Sequence, residues 1–484
     1  MKMIKKLILL LLIMSTIITV FSCGNSNTPD KTDADDLTAG NPQEKTTASI
    51  EDIYPYPKHD FDGAAIKILA RRDGYAGQDF EDIYVDEING EVLNDAVRER
   101  TSAVEEKYNV KIAISYDKDP VGLTQKNVQA DDDVYQIIQE KLIYLQQTLA
   151  TQNYICDFNK IDGITLEAPW YNQNIIKDLS INKKVTALGG DMTISDKSGV
   201  NAAMFNKKMA ADYKMENMYK IVREGKWTLE KMHELMTLTC KDLDGDGKMN
   251  LSDDQWGMIA EQLAAWAFWT GSGVRLAELD SNGIPYITAG TPKFLSVLDK
   301  ILDIMYDKEC MYVGGEVEDW ISAFGSGRCF LQPNVISTIC LMRGLESDFG
   351  IIPIPKLNEE QTDYMASISP WVSRFIAVPV TCRNTGTIGA VIDAMAREST
   401  NTVMPAYYDN LLNNKIARDD ESIEMLKITF GSVVYDIGAV YNWGGLWLMH
   451  QGFINSKSRD YVSFYEKNAS AIQAALDITI EEMF

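Results

Sequence analysis

Histidine is scarce in this chain: among 484 residues there are only His59, His233 and His450. None has a partner at a recognised ligand or nucleophile spacing, so zinc hydrolysis and histidine-based triads have little support. The sequence also lacks an HExxH, a nucleophile elbow and a Ser–Lys motif, which leaves no marker of hydrolase chemistry. Basic residues are in deficit, 46 Lys and Arg against 70 Asp and Glu, for a net charge of -24. Such a surface repels nucleic acid and anionic headgroups. Beyond the first twenty residues no apolar run reaches the ~20 residues of a spanning helix. There is no CxxC. Past Cys23 stand Cys156, Cys240, Cys310, Cys329, Cys340 and Cys382, an even number that permits disulfides in an exported chain and equally permits buried thiols.

What is present begins at the N-terminus. Lys2, Lys5 and Lys6 precede an apolar run from Leu7 to Val20, the pattern of a secretory signal. Val20-Phe21-Ser22-Cys23-Gly24 follows at once and looks like the lipobox of bacterial lipoproteins. That likeness implies removal of residues 1–22, diacylglycerol on the Cys23 thiol and anchoring at the outer face of the cell membrane, with two or more acyl chains for a firm hold. Residues 23–60 are expected to be a flexible linker. From Gly24 to Ile50 it has almost no large apolar residue, and as a coil it would span roughly 30 Å.

The folded part is expected from Phe61. Ala64–Ala70 reads as a strand, Asn94 to Tyr108 as a helix with Val97, Thr101, Val104 and Tyr108 on one face, and Val110–Ser115 as a second strand. This is the unit of an open α/β sheet, with Arg71 to Tyr75 just past the end of the first strand, where such sheets bind ligands. Thr228 caps a helix through Lys241. Phe349–Pro355 and Phe375–Pro379 read as buried strands, and helices are expected at Val391–Arg397, Glu421–Thr429 and Ala469–Ile480. The 45% hydrophobic content suffices for a substantial core.

The sharpest local pattern is Asp242 to Asp253, DLDGDGKMNLSD. It follows the spacing of a calcium loop, in which alternating carboxylates in a tight turn converge on a hard cation. The expected ligands are Asp242, Asp244, Asp246, the Lys248 carbonyl, Asn250 and Asp253, with Gly247 at the bend. Asp at the last position has less reach than Glu, and Gln255–Ile259 reads as a strand where a calcium loop has a helix. A structural Ca²⁺ is the expectation, without an organic cofactor.

Several pieces occur in an order that resembles the family 1 extracellular solute-binding proteins, in their long clostridial form. They are the lipobox, Asn206-Lys207-Lys208, Gly225-Lys226-Trp227-Thr228, the acidic loop, Phe324 to Arg328, Phe349-Gly350 through Lys356, and Val403 to Asp409 with Arg418-Asp419. The resemblance implies a periplasmic-binding-protein-like α/β fold, two lobes joined by hinge segments around a ligand cleft. On the family pattern one lobe holds 61–163 with 324–381, the other 164–323 with 382–484. It also implies a monomer, with no enzymatic activity, that carries a mono- or oligosaccharide to the permease subunits of an ABC importer. A surface glycan-binding lipoprotein uncoupled from transport, and less so a glycan hydrolase, are the alternatives. Sugars are gripped by aromatic planes and planar polar groups. Among the nine tryptophans, those beside polar residues in loops are the candidates: Trp170, Tyr171 and Asn172, Trp269, Trp371 with Arg374, and Asn442 with Trp443; Trp320 is a weaker one.

Overall fold

Ala64–Arg71 forms β1, whose apolar residues are buried from Ile66 onward. The computed structural model describes residues 53–56, 58–74, 81–413 and 416–484. The signal segment, Cys23 and the linker through residue 52 lie outside the described residues. Residues 54–484 cluster as one unit. After β1 come β2 (Val110–Asp117), β3 (Ile137–Lys141), β4 (Asn201–Asn206) and β5 (Trp256–Ala260). β6 (Ala277–Leu279) and β7 (Pro285–Ile287) form a small hairpin. Then follow β8 (Met311–Val313), β9 (Cys329–Val335), β10 (Phe349–Ile352) and β11 (Arg374–Ala377).

Two sheets result. The first has the order β11-β3-β1-β2, parallel except for β11. Helix Val92–Tyr108 covers it with Val97, Thr101, Val104 and Tyr108, the predicted face. Asn109 then turns left-handed (φ 48°) and starts β2 directly, a conformation Asn tolerates better than most residues. The second sheet has the order β10-β4-β9-β5-β8, with β5 parallel to both β8 and β9. Each sheet has its main apolar cluster, although Phe375 and Ala377 of β11 belong to that of the second. The chain crosses between them along 195–201 and back along 367–374, and these two segments run side by side. The amide of Asn201 donates to Ser367 O (3.0 Å), that of Ser369 to Gly199 O (2.8 Å) and that of Arg374 to Ser195 O (3.3 Å).

This pairing differs from the expected division. The family pattern puts residues 324–381 in the first lobe, yet β9 and β10 join the second sheet through β4 and β5; only β11, at the end of that stretch, returns to the first. Conversely, 164–195 and helix Thr385–Asn401 contribute Trp170, Leu188, Val391 and Met395 to the first core. Buried apolar runs look alike in either sheet, so strand partners are invisible locally. The linker also ends sooner than residue 60. Tyr54 packs edge-on to Trp170, and the Tyr56 hydroxyl donates to Glu398 at 2.7 Å beneath the Arg397 guanidinium.

Candidate functional site

The strand ends of both sheets carry polar residues. In the first sheet β1 and β3 end, and β11 begins, at one rim. There Arg71 makes a two-pronged pair with Glu140, and Asp73 lies 2.7 Å from Lys141 and 3.3 Å from Arg374. Burial alone would raise the Asp73 carboxyl; Lys141, Arg374 and Arg71 together hold it below the ordinary range. The Arg71 guanidinium lies over the Tyr144 ring, whose edge meets Trp371 (5.8 Å).

Trp371 opens on a cavity of about 380 Å³ at the corresponding rim of the second sheet. Asn201 at the start of β4, Asn334 and Val335 at the end of β9, and Glu261 just past β5 line it, with Ser337, Ser369 and four tryptophans, Trp266, Trp320, Trp371 and Trp447. Trp266 and Trp447 meet edge to face at 5.2 Å. Trp320 is fixed by donation from Nε1 to Gly314 O at 2.7 Å. Trp371 is 36% exposed, whereas the other three are almost fully buried. Burial raises the Glu261 carboxyl above the ordinary range, with no compensating charge beside it among the described residues. Aromatic planes beside amides and a carboxylate suit an amphipathic ligand with apolar faces and polar rims.

The predicted site residues disperse. Trp371 borders this cavity. Arg374 is buried in the Asp73 cluster behind it. Asn442, left-handed at φ 48°, accepts the Trp447 amide proton at 2.8 Å and so braces a cavity wall. Trp443 is a core residue, stacked on Tyr441 with Nε1 donating to Thr479 (2.8 Å). Trp269 is buried between Phe294 and His450. Trp170 is buried too; its Nε1 and the Tyr171 hydroxyl both donate to Asp393, at 3.2 and 3.0 Å. Asn172 caps helix Gln173–Leu179. These last three border a different cavity of about 490 Å³, together with Lys197 and Lys427. Sequence reasoning missed Glu261, Trp266 and Trp447. Glu261 carried a signal: it is the first polar residue after a buried strand, where open sheets place ligand contacts.

In the acidic loop Asp242, Asp244 and Asp246 bring carboxylate oxygens within 4.8 Å of one another. Asp242 accepts amide protons from Gly245 (2.7 Å) and Gly247 (2.8 Å), both of which have positive φ. Among the described residues Asp253 does not join this group; it is exposed and accepts from the Ser252 hydroxyl at 2.6 Å. Buried Asp254 closes the loop instead, accepting from Leu243 N (2.8 Å) and Asn250 N (2.6 Å). The exposed Lys248 donates its amide to Asp246. The donor set is all oxygen, as a hard cation requires, with three carboxylates in place and the fourth supplied by neither Asp253 nor Asp254. Strand β5 follows, as the sequence indicated. Disulfide Cys240–Cys310 ties the loop's entrance to the start of β8, and Cys156, Cys329, Cys340 and Cys382 are free thiols.

No family model and no curated protein matches the sequence. Solved structures do match. UspC of M. tuberculosis superposes with a TM-score of 0.57 at 11% identity, over 85% of this chain and 100% of that one. Apo RafE from Streptococcus pneumoniae gives 0.52 at 12% identity, over 87% and 99%. A cyclo/maltodextrin-binding protein complexed with maltotetraose gives 0.52 at 10%, over 88% and 99%. The fold is periplasmic-binding-protein-like. In that fold the two sheets are the cores of two α/β lobes, and the crossings at 195–201 and 367–374 are two of the links between them. Among the described residues no helix is long and apolar enough to cross a membrane.

Proposed function

We propose that this protein is an extracellular solute-binding lipoprotein that carries a mono- or oligosaccharide to an ABC importer and does no chemistry of its own. The observation behind this reading is the tryptophan-walled cavity, edged by Asn201, Asn334 and Glu261, at the strand ends. Sugar rings have apolar C–H faces for such walls and hydroxyls for such rims. The maltotetraose complex of one structural relative agrees with it. Cys23 would hold the carrier close to its permease and raise its effective concentration there. Export is further supported by Cys240–Cys310, since structural disulfides persist in oxidising surroundings.

The acidic loop serves, in this proposal, as a structural calcium clip held by Asp242, Asp244 and Asp246. Bound Ca²⁺ would neutralise three crowded carboxylates and stiffen the turn between helix Leu229–Thr239 and β5. Thermal unfolding of the full chain against a panel of mono- and oligosaccharides tests the carrier reading. A ligand that binds only the native state raises the transition by RT ln(1 + [L]/Kd), and small-angle scattering should report compaction. Turnover of a labelled oligosaccharide would sink it.

A further inference from the structure

Among the described residues Glu261 is the one charged residue that lines the tryptophan-walled cavity, and no Lys or Arg borders it. Among the described residues no donor or cation reaches its carboxylate, and burial is the sole influence on its acidity. This sets it apart from the other carboxylates near the strand rims. Glu140 is gripped by Arg71, and Asp73 by Lys141 and Arg374. A half-buried carboxylate without a partner carries a desolvation cost, and a lone one facing a cavity in that state is characteristic of sites built for a ligand.

We infer that the cavity selects a ligand carrying an ammonium group, with Glu261 as its counter-charge and the tryptophans as the walls against its apolar faces. The inference rests on the carbohydrate reading above and narrows it to glycans with a free amine, such as de-N-acetylated hexosamine units. A neutral sugar would offer Glu261 only hydroxyl protons and leave its charge uncompensated. An N-acetylated one would place a bulky uncharged amide there. The overall charge of -24 would draw the same ligands toward the protein.

Titration calorimetry on the full chain at low salt, with four probes, tests this. The probes are glucosamine oligomers, their N-acetylated counterparts, neutral maltotetraose and a small alkylammonium ion. Glucosamine oligomers should bind about tenfold or more tighter than the acetylated and neutral glycans, the scale of a charge-assisted hydrogen bond. Glu261→Gln, of nearly equal shape, should erase that preference without lowering the ligand-free melting transition, since no internal partner is lost and an uncompensated charge is removed. Equal binding of all glycans, unchanged in Glu261→Gln, overturns the inference and leaves the carbohydrate reading standing. Binding of the alkylammonium ion alone, lost in Glu261→Gln, keeps Glu261 as an ammonium seat and removes the carbohydrate reading. Failure of every ammonium probe to bind overturns the inference.

Discussion

The Ser373 hydroxyl accepts the amide proton of Gly199 at 3.1 Å, where the two segments that join the sheets lie against each other. A Cβ on residue 199 would sit 2.4 Å from Ser373 Oγ and 2.8 Å from Ser369 O. The side chain of Ser373 can be removed, but the Ser369 carbonyl is main chain. Gly199→Ala should therefore destabilise the protein by about 1–3 kcal/mol, the usual cost of overpacking. Adding Ser373→Ala should recover only part of it, as read by urea unfolding.

Trp371 and Trp443 were equal candidates for the ligand wall, and the structure separates their expected behaviour. Trp371→Ala should weaken glycan binding at a clearly smaller cost in stability, because the residue is 36% exposed. Trp443→Ala removes a buried ring and its bond to Thr479, for an expected loss of about 3–5 kcal/mol. A calorimetric affinity and a denaturation curve for each variant decide the matter. A stability loss at Trp371 matching that at Trp443 would refute the assignment.

Adding Ca²⁺ to chelated protein should raise its unfolding temperature, by an increment that grows with the logarithm of free Ca²⁺. Asp242→Ala should abolish the increment, since Asp242 both organises the turn and contributes to the converging oxygens. Asp253→Ala should leave it largely intact, which a loop of the expected twelve-residue form would not allow. An identical response in wild type and Asp242→Ala would remove the loop from consideration.

Reduction of Cys240–Cys310 opens a link across 70 residues of sequence. Chain entropy alone sets the loss near ~4 kcal/mol. Equilibrium unfolding with and without a reductant measures it, and Cys240→Ser with Cys310→Ser is the control.

His450 is buried against Trp269 and faces the Tyr461 hydroxyl at 2.9 Å. Burial pulls its pKa down from 6.5 to about 4. The unfolded chain therefore takes up the proton first as pH falls. The contribution is complete above pH 6.5 and is lost as pH drops toward 4, about 3 kcal/mol in all. Asp196 and Asp436, raised by burial to about 6, act in the opposite sense. Their share is present below the ordinary carboxylate pKa and disappears as pH rises through 6. Comparing wild type with His450→Gln between pH 4 and 7 isolates the histidine. A constant difference across that range would contradict its neutral, buried state.

Local elements were largely legible in the sequence. The strand at Ala64, the helix ending at Tyr108, the Thr228 cap and the strand following the acidic loop all depend on neighbours within a few residues. The site was not. Trp170, Trp269 and Trp443 stand beside polar residues much as Trp371 does, and nothing near them reveals that other segments cover them. Trp266 lies in the apolar run AAWAFW, which reads as core and is mostly core; it borders a cavity only because the end of β9 and Trp447 line the same space. The division at residues 324–381 failed for the same reason. The partner of β9 is set by β4 and β5, far off in sequence.

Strand β11 completes the first sheet by pairing with β3, yet every strand of the second sheet intervenes between them in the chain. While the protein is being made, β3 presents a bare edge of amides and carbonyls until almost the last quarter has emerged. Such an edge invites pairing with other chains, and distant closure of this kind is slow. If the chain is exported as proposed, crossing a membrane before folding suits this topology, which by itself postpones closure of the first sheet.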